Sequence, residues 1–225
     1  MTTALPPAAS IFWLADALNA ARINDPLFGD GGEPVDPEIL LTPSAGKRAR
    51  VSVISFVGLR SEERGQGFVS QLQMELFAWI KKNPAGEQPL GALFVMDEAQ
   101  TIAPAGALTP STRSSIALAQ QARKYGLGLV FATQAPKGLH NQIPGNATTQ
   151  LIGRLIVPAQ IAAAEEIARA AGGDLSGIGK LGPGQFQIAG DGFGFRLVRT
   201  RQCLSHHPKS PPTPEEVVER ARRGL

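Results

Sequence analysis

Two acidic residues stand side by side after an apolar run, in Leu93-Phe94-Val95-Met96-Asp97-Glu98-Ala99-Gln100. Adjacent carboxylates at the end of a buried strand are costly unless a cation compensates them. A magnesium nucleotide does this naturally. Asp97 would hold the Mg2+, directly or through water, and Glu98 would orient or activate an attacking water as general base. The plainer alternative is a pair of strand-end acids in a solvated loop, and the motif alone divides evenly between the two. A second candidate is Thr133-Gln134, 36 residues beyond Glu98. That spacing leaves room for one helix and a return to a neighbouring strand. A neutral amide there can hydrogen-bond both the attacking water and a γ-phosphate oxygen, or be an ordinary strand-end polar group. The third is Arg123 in Gln121-Ala122-Arg123-Lys124-Tyr125-Gly126. Local grounds favour a cation at a helix C-terminus. The functional alternative is an arginine finger donated to a neighbouring subunit's nucleotide.

These residues need strands and helices to bring them together. Val51–Phe56 is short, β-branched and followed by Gly58, which predicts a strand. Ser61 followed by Glu62 and Glu63 opens a helix to about Lys82, with Phe68, Leu72, Leu76, Trp79 and Ile80 near helical spacing. Ala92–Met96 is a continuous apolar run, as in strands buried on both faces of a parallel sheet. A loop is expected from Thr101 to Pro110, then a helix capped by Ser111 and running to Tyr125. Leu127–Thr133 and Leu151–Val157 are further predicted strands. Gln160–Ala171 is a predicted helix, and Gln185–Ala189 with Phe193–Thr200 a hairpin around Gly190-Asp191-Gly192. Upstream, Ile11–Ala21 has helical spacing, Asp25–Pro34 is loop-like, and Leu40–Pro43 is expected to be extended. A short charged helix is expected at Pro214–Arg223. Strands alternating with helices predict a mainly parallel α/β sheet flanked by helices, with sites at the carboxyl ends of its strands.

Composition bounds the alternatives. Hydrophobic residues make up 43% and charged residues 18%, so the chain can bury a core. The net charge of +3 is compatible with a polyanionic partner without requiring one. Cys203 is the single cysteine, so no internal disulfide can form and a cytoplasmic setting is the simplest expectation. No apolar run is long enough to span a membrane, and the opening Met-Thr-Thr-Ala-Leu-Pro-Pro is unlike a signal peptide. Three histidines, His140, His206 and His207, have no cysteine cluster beside them, and no Gly-x-Ser-x-Gly nucleophile elbow occurs. The phosphate-cradling pattern G-x-x-x-x-G-K-[S/T] is also absent. Gly46-Lys47 is followed by Arg48 and Gly179-Lys180 by Leu181, and neither has a glycine five positions before.

Together these segments resemble the HerA/FtsK superfamily of DNA-pumping ATPases, and most closely its HerA-like group. The resemblance is carried by Val51-Ser52-Val53-Ile54-Ser55-Phe56-Val57-Gly58-Leu59, by Leu93 to Pro104, by Ala122 to Pro136 and by Asn146 to Leu155. It covers roughly residues 48–200. It implies a RecA-like core, here residues 48–203, between an N-terminal appendage at 1–47 and a Pro-rich tail at 204–225. It further implies ATP and Mg2+ as ligands, a hexameric ring of like subunits, DNA as the translocated partner and a nuclease as an associate. By position, Asp97 and Glu98 match the Walker B pair, Gln134 the polar sensor and Arg123 the finger acting in trans. Arg154 matches a strand arginine at the nucleotide, and Gln100 stands where relatives often have histidine. The missing Walker A loop would have to come from a longer chain or a partner chain. Two alternatives stay open: a non-catalytic assembly subunit, and a protein-secretion ring ATPase. Lys137 and His140 are the candidate channel residues, on a stretch that also suits a plain solvated loop.

Overall fold

The computed structural model describes residues 12–17, 19–20, 35–57, 59, 61–170, 172–190, 192–201, 203 and 210–223. The expected loop at 25–34 and the His206-His207 pair lie outside these residues. Residues 12–17 and 19–20 are helical and exposed.

The longest element is helix α2, Glu62–Lys82, which follows the short helix α1, Pro37–Leu41. Ser61 caps α2, its Oγ accepting from Arg64 N at 3.3 Å. Acids in the first turn and Lys81 and Lys82 in the last suit the helix dipole. Its buried stripe is Val69, Leu72, Gln73, Leu76, Phe77 and Ile80. Phe68 and Trp79, expected on the apolar face, lie at its margins and are half-buried.

Strand β1, Ala92–Met96, pairs in parallel with β2, Leu127–Phe131, in the register Ala92↔Leu127 to Met96↔Phe131. Between them run the single-turn helix α3, Ala99–Ile102, helix α4, Pro110–Gln121, and a 3-10 turn at Ala122–Tyr125. This is the long crossover that a parallel pair requires. The turn closes at Gly126, where φ is +80° and an added Cβ would sit 2.3 Å from the Ala85 Cβ. A side chain there meets both backbone strain and a clash.

Strand β3, Thr149–Ile152, belongs to a separate antiparallel sheet with β4, Gln185–Gly190, and β5, Phe193–Arg199. Helix α5, Gln142–Asn146, precedes β3 and helix α6, Pro158–Ala170, follows it. On α6, Ala164 and Ala168 pack with Leu175, Ile178 and Leu181, flanked by Ile152, Leu155 and Phe195. The tail helix α7, Pro214–Arg222, starts with a reciprocal capping box between Thr213 and Glu216.

The expected α/β class, with a partial RecA-like core and a C-terminal hairpin, is what the structure has. Its sheet is more mixed than expected. Only β1 and β2 are parallel among the described residues, because the fourth strand starts two residues early and pairs antiparallel with the hairpin. The strand expected at Val51–Phe56 is irregular backbone, with Val51 and Val53 each 87% exposed. β propensity needs a paired neighbour to act on, and no described strand pairs there. Leu40 and Leu41 end a helix instead of lying extended: Asp36 Oδ1 accepts from Glu38 N at 2.8 Å and Pro37 occupies the first turn. The cap of α4 is Thr109, not Ser111, because Pro110 takes the first helical position. Ser111 is buried and donates to Ile102 O at 2.5 Å.

β1 was expected to be buried on both faces. One face is: Ala92, Phe94 and Met96, with Leu127, Leu129 and Phe131 of β2, packs against residues of α2 and α4. On the other face Leu93 is 52%, Val95 55% and Val130 42% exposed.

The seam between α2 and α4 is polar, yet fully paired. Gln73 is wholly buried. Its Nε2 donates to Ser115 Oγ at 2.9 Å and lies 3.3 Å from Met96 Sδ, while Ser114 Oγ donates to Gln73 Oε1 at 2.5 Å. No buried side-chain polar atom lacks a partner among the described residues. Gln73→Leu removes the amide partner of the Ser115 hydroxyl and one of the partners of Ser114, so it should lower stability by about 1–3 kcal/mol in urea denaturation. Gly126→Ala should also lower the unfolding midpoint, by an amount that a second substitution of Ala85→Gly partly restores.

Candidate active site at the carboxyl ends of the parallel strands

Parallel pairing puts Asp97 and Ala132 next to each other beyond the strand ends. The ladder continues past both strands, with Ala132 N donating to Met96 O and Ala99 N to Ala132 O, each at 2.9 Å. Between these two bonds the chain must reverse from β1 into α3. Glu98 makes the reversal at φ 48° and ψ 46°, and it is the one non-glycine residue with positive φ among those described. For a residue with a Cβ this left-handed conformation costs about 1–2 kcal/mol. Such strain persists where the surroundings hold it, and it concentrates at functional positions.

What holds Glu98 is a set of short hydrogen bonds. Gln134 Nε2 donates to Oε1 at 2.5 Å and Gln100 Nε2 to Oε2 at 2.5 Å. The Glu98 backbone N–H donates to Asp97 Oδ1 at 3.0 Å, and Thr101 Oγ1 donates to its carbonyl at 2.9 Å. Gln134 is held in turn, its carbonyl accepting from Gln160 Nε2 of α6 at 2.9 Å. Glu98 is half-buried, whereas Asp97 and Gln134 are exposed. The site therefore offers one oriented carboxylate, one solvent-facing carboxylate and a neutral amide within a single small area.

Among the described residues no group of three or more His, Cys, Asp or Glu side chains could enclose a metal. That donor set does not suit a protein-caged transition metal. It does suit Mg2+, which takes one or two carboxylates and completes its shell with water and phosphate oxygens.

The structure thus brings together Asp97, Glu98 and Gln134. It does not bring the two arginines to them. Arg123 is exposed on the 3-10 turn before β2, and Gln134 lies past the other end of that strand. Five strand residues separate the two by about 15 Å. Arg154 is exposed beyond the end of β3 and makes no hydrogen bond or ion pair with the Glu98 cluster. Lys137 is exposed on the 3-10 turn Pro136–Gly138, three residues past Gln134. That turn is fastened below: Ala105 N donates to Gly138 O at 2.8 Å and His140 N to Ala103 O at 2.9 Å. His140 is half-buried, its Nδ1 accepting from Gln142 N at 3.4 Å. Sequence reasoning placed Gln100 in the motif without a partner and missed Gln160 altogether. A helix residue 26 positions beyond Gln134 carries no local signal of contact with it.

No protein-family model matches the sequence. Over 103 residues, 44% of this chain, it is 30% identical to the DNA double-strand break repair helicase HerA of Pyrococcus furiosus. Over that stretch the chain resembles HerA. The match spans only 18% of that helicase. Among solved structures, the genome packaging NTPase B204 of Sulfolobus turreted icosahedral virus 2 superimposes at a TM-score of 0.51 in two complexes. The one with AMPPCP is 16% identical and covers 84% of this chain and 89% of that one. The one with sulfate is 17% identical and covers 87% and 89%. At these identities the likeness is one of fold, and it is the P-loop ATPase fold expected for the HerA-like segments. No helix among the described residues is long and apolar enough to cross a membrane.

The site and the core should respond differently to truncation. Gln134→Ala and Arg123→Ala remove exposed side chains and should change unfolding free energy by less than about 0.5 kcal/mol. Met96→Ala, at a residue only 2% exposed, should cost about 2–5 kcal/mol in the same urea titration.

Proposed function

We propose that this chain supplies the hydrolytic side of a nucleotide site in an ATP-driven motor that translocates DNA. The single observation that carries this reading is the Glu98 carboxylate, held by Gln134 across the joined ends of two parallel strands. Its closest support is the similarity to HerA over the stretch that aligns.

In this reading Asp97 ligates Mg2+, directly or through water. Glu98 takes the proton from the attacking water. Gln134 hydrogen-bonds the water and a γ-phosphate oxygen, which places the nucleophile in line. Mg2+ held there would supply positive charge against the charge developing on the phosphate oxygens. Arg123 lies at the other end of β2 from its own chain's Glu98, so the nucleotide it serves is that of a neighbouring copy in a ring, which we take to be a hexamer. Arg154 contributes a cation to the nucleotide from beyond β3. Lys137, on its fastened turn, faces the DNA phosphates, and a nuclease acts with the motor. The phosphate-binding loop comes from a longer chain or a partner chain. The apolar face of Leu93, Val95 and Val130 supports this, because parallel strands are normally covered on both faces.

The missing loop also favours a second reading, a non-catalytic subunit that keeps the fold for assembly. Hydrolysis separates the two. The 225-residue chain alone should not turn over ATP. Combined with a segment bearing G-x-x-x-x-G-K-[S/T], it should. Glu98→Gln should then lower kcat by about 10²–10⁴-fold with nucleotide affinity retained. Wild-type turnover by Glu98→Gln would sink the catalytic reading, and inactivity in every combination would favour the assembly subunit. Lys137→Ala should weaken DNA binding similarly across sequences and reduce its salt slope by about one.

A further inference from the structure

Glu98 has two amide donors, and the proposed chemistry uses only one. The second, Gln100, is half-buried and sits at the end of an ordered chain of hydrogen bonds. The Ala135 N–H donates to Thr133 Oγ1 at 3.0 Å. The Thr133 hydroxyl donates to Gln100 Oε1 at 2.5 Å. Gln100 Nε2 donates to Glu98 Oε2 at 2.5 Å. A backbone N–H can only donate and an ionised carboxylate can only accept. The carboxylate end fixes the sense: Gln100 presents its NH2 to Glu98, so its oxygen faces Thr133. The Thr133 hydroxyl, which accepts from Ala135, donates its proton to that oxygen.

This arm also restrains the strained residue. Gln134 and Gln100 grip opposite oxygens of one carboxylate, which fixes the carboxylate plane as well as its position. One donor would leave rotation about the last side-chain bond. The arm has little room to shift: a Cβ added at Gly138 would lie 3.3 Å from the Gln100 Cβ, so the Pro136–Gly138 turn closes over it.

We propose that Gln100 is a positioning residue for the Glu98 general base, and that Thr133 holds its amide in place. The proposal rests on Glu98 acting as the base, and its test is built so that the two can fail separately. The first readout needs no nucleotide. In 1H–15N spectra of the full chain, the side-chain amides of Gln100 and Gln134 should both be shifted from solvent-exposed positions. Thr133→Val is nearly isosteric and lacks the hydroxyl. It should return the Gln100 amide signals to exposed positions while those of Gln134 persist, which also reports an intact fold. Thr133→Ser should restore them. Gln100 amides at exposed positions in the wild type, or unmoved by Thr133→Val, would overturn the arm.

The second readout is hydrolysis with the loop-bearing segment present. Gln100→Ala and Thr133→Val should each lower kcat about tenfold at unchanged KM. Their combination should be no worse than either alone, since Thr133 acts only through Gln100. Thr133→Ser should turn over at close to the wild-type rate. If Glu98→Gln abolishes hydrolysis while Gln100→Ala and Thr133→Val leave it intact, the positioning proposal fails and the base assignment stands. If Glu98→Gln is fully active, the base assignment fails and takes the positioning role with it, whatever the spectra show of the arm.

Discussion

The register of one parallel strand pair governs the rest of the site. With Met96 opposite Phe131, the two chains leave the sheet side by side, and the residues beyond them must share one small volume. A shift by one residue would turn Ala92, Phe94 and Met96 away from the helices and bring Leu93 and Val95 in. It would also separate Glu98 from Gln134. The apolar clusters under β1 and β2 hold this register, so core packing and site geometry are one constraint.

That core is not wholly apolar. Gln73 and four buried hydroxyl residues of α4 run through it, each hydrogen-bonded. A seam of directional bonds gives α2 and α4 fewer alternative packings than an oily contact would, because each slip leaves a buried polar group unpaired. Fixed helices in turn fix where the crossover returns to β2. The left-handed backbone of Glu98 works in the same sense. It is a local cost that the two strand ends, the Thr101 cap and the paired amides sustain.

Over 103 residues the sequence is similar to HerA, and over most of the chain the fold is like that of B204. Both likenesses fit what the geometry shows locally. The acids and Gln134 converge, the arginines do not, and one face of the parallel pair is open. In the proposed function, this layout is half of a site, to be completed by a phosphate loop on one side and a neighbouring copy's arginine on the other.

The sequence by itself determined the elements whose signals are local. The α2 cap, the run that forms β1, the hairpin and the tail helix depend on near neighbours in the chain, and they form close to where expected. The order of Asp97-Glu98, Arg123 and Gln134 was also legible, as was the absence of a phosphate loop. Tertiary structure decided whatever depends on a distant partner. Val51–Phe56 has strand propensity but no described strand to pair with, so it stays irregular. β3 joins the hairpin because its hydrogen bonds are satisfied there. Gln100 and Thr133 lie 33 residues apart and mean little until the parallel pair puts them at 2.5 Å. Propensity and capping act over a few residues, whereas the sense of a hydrogen-bonded arm is fixed only once all its members are in place.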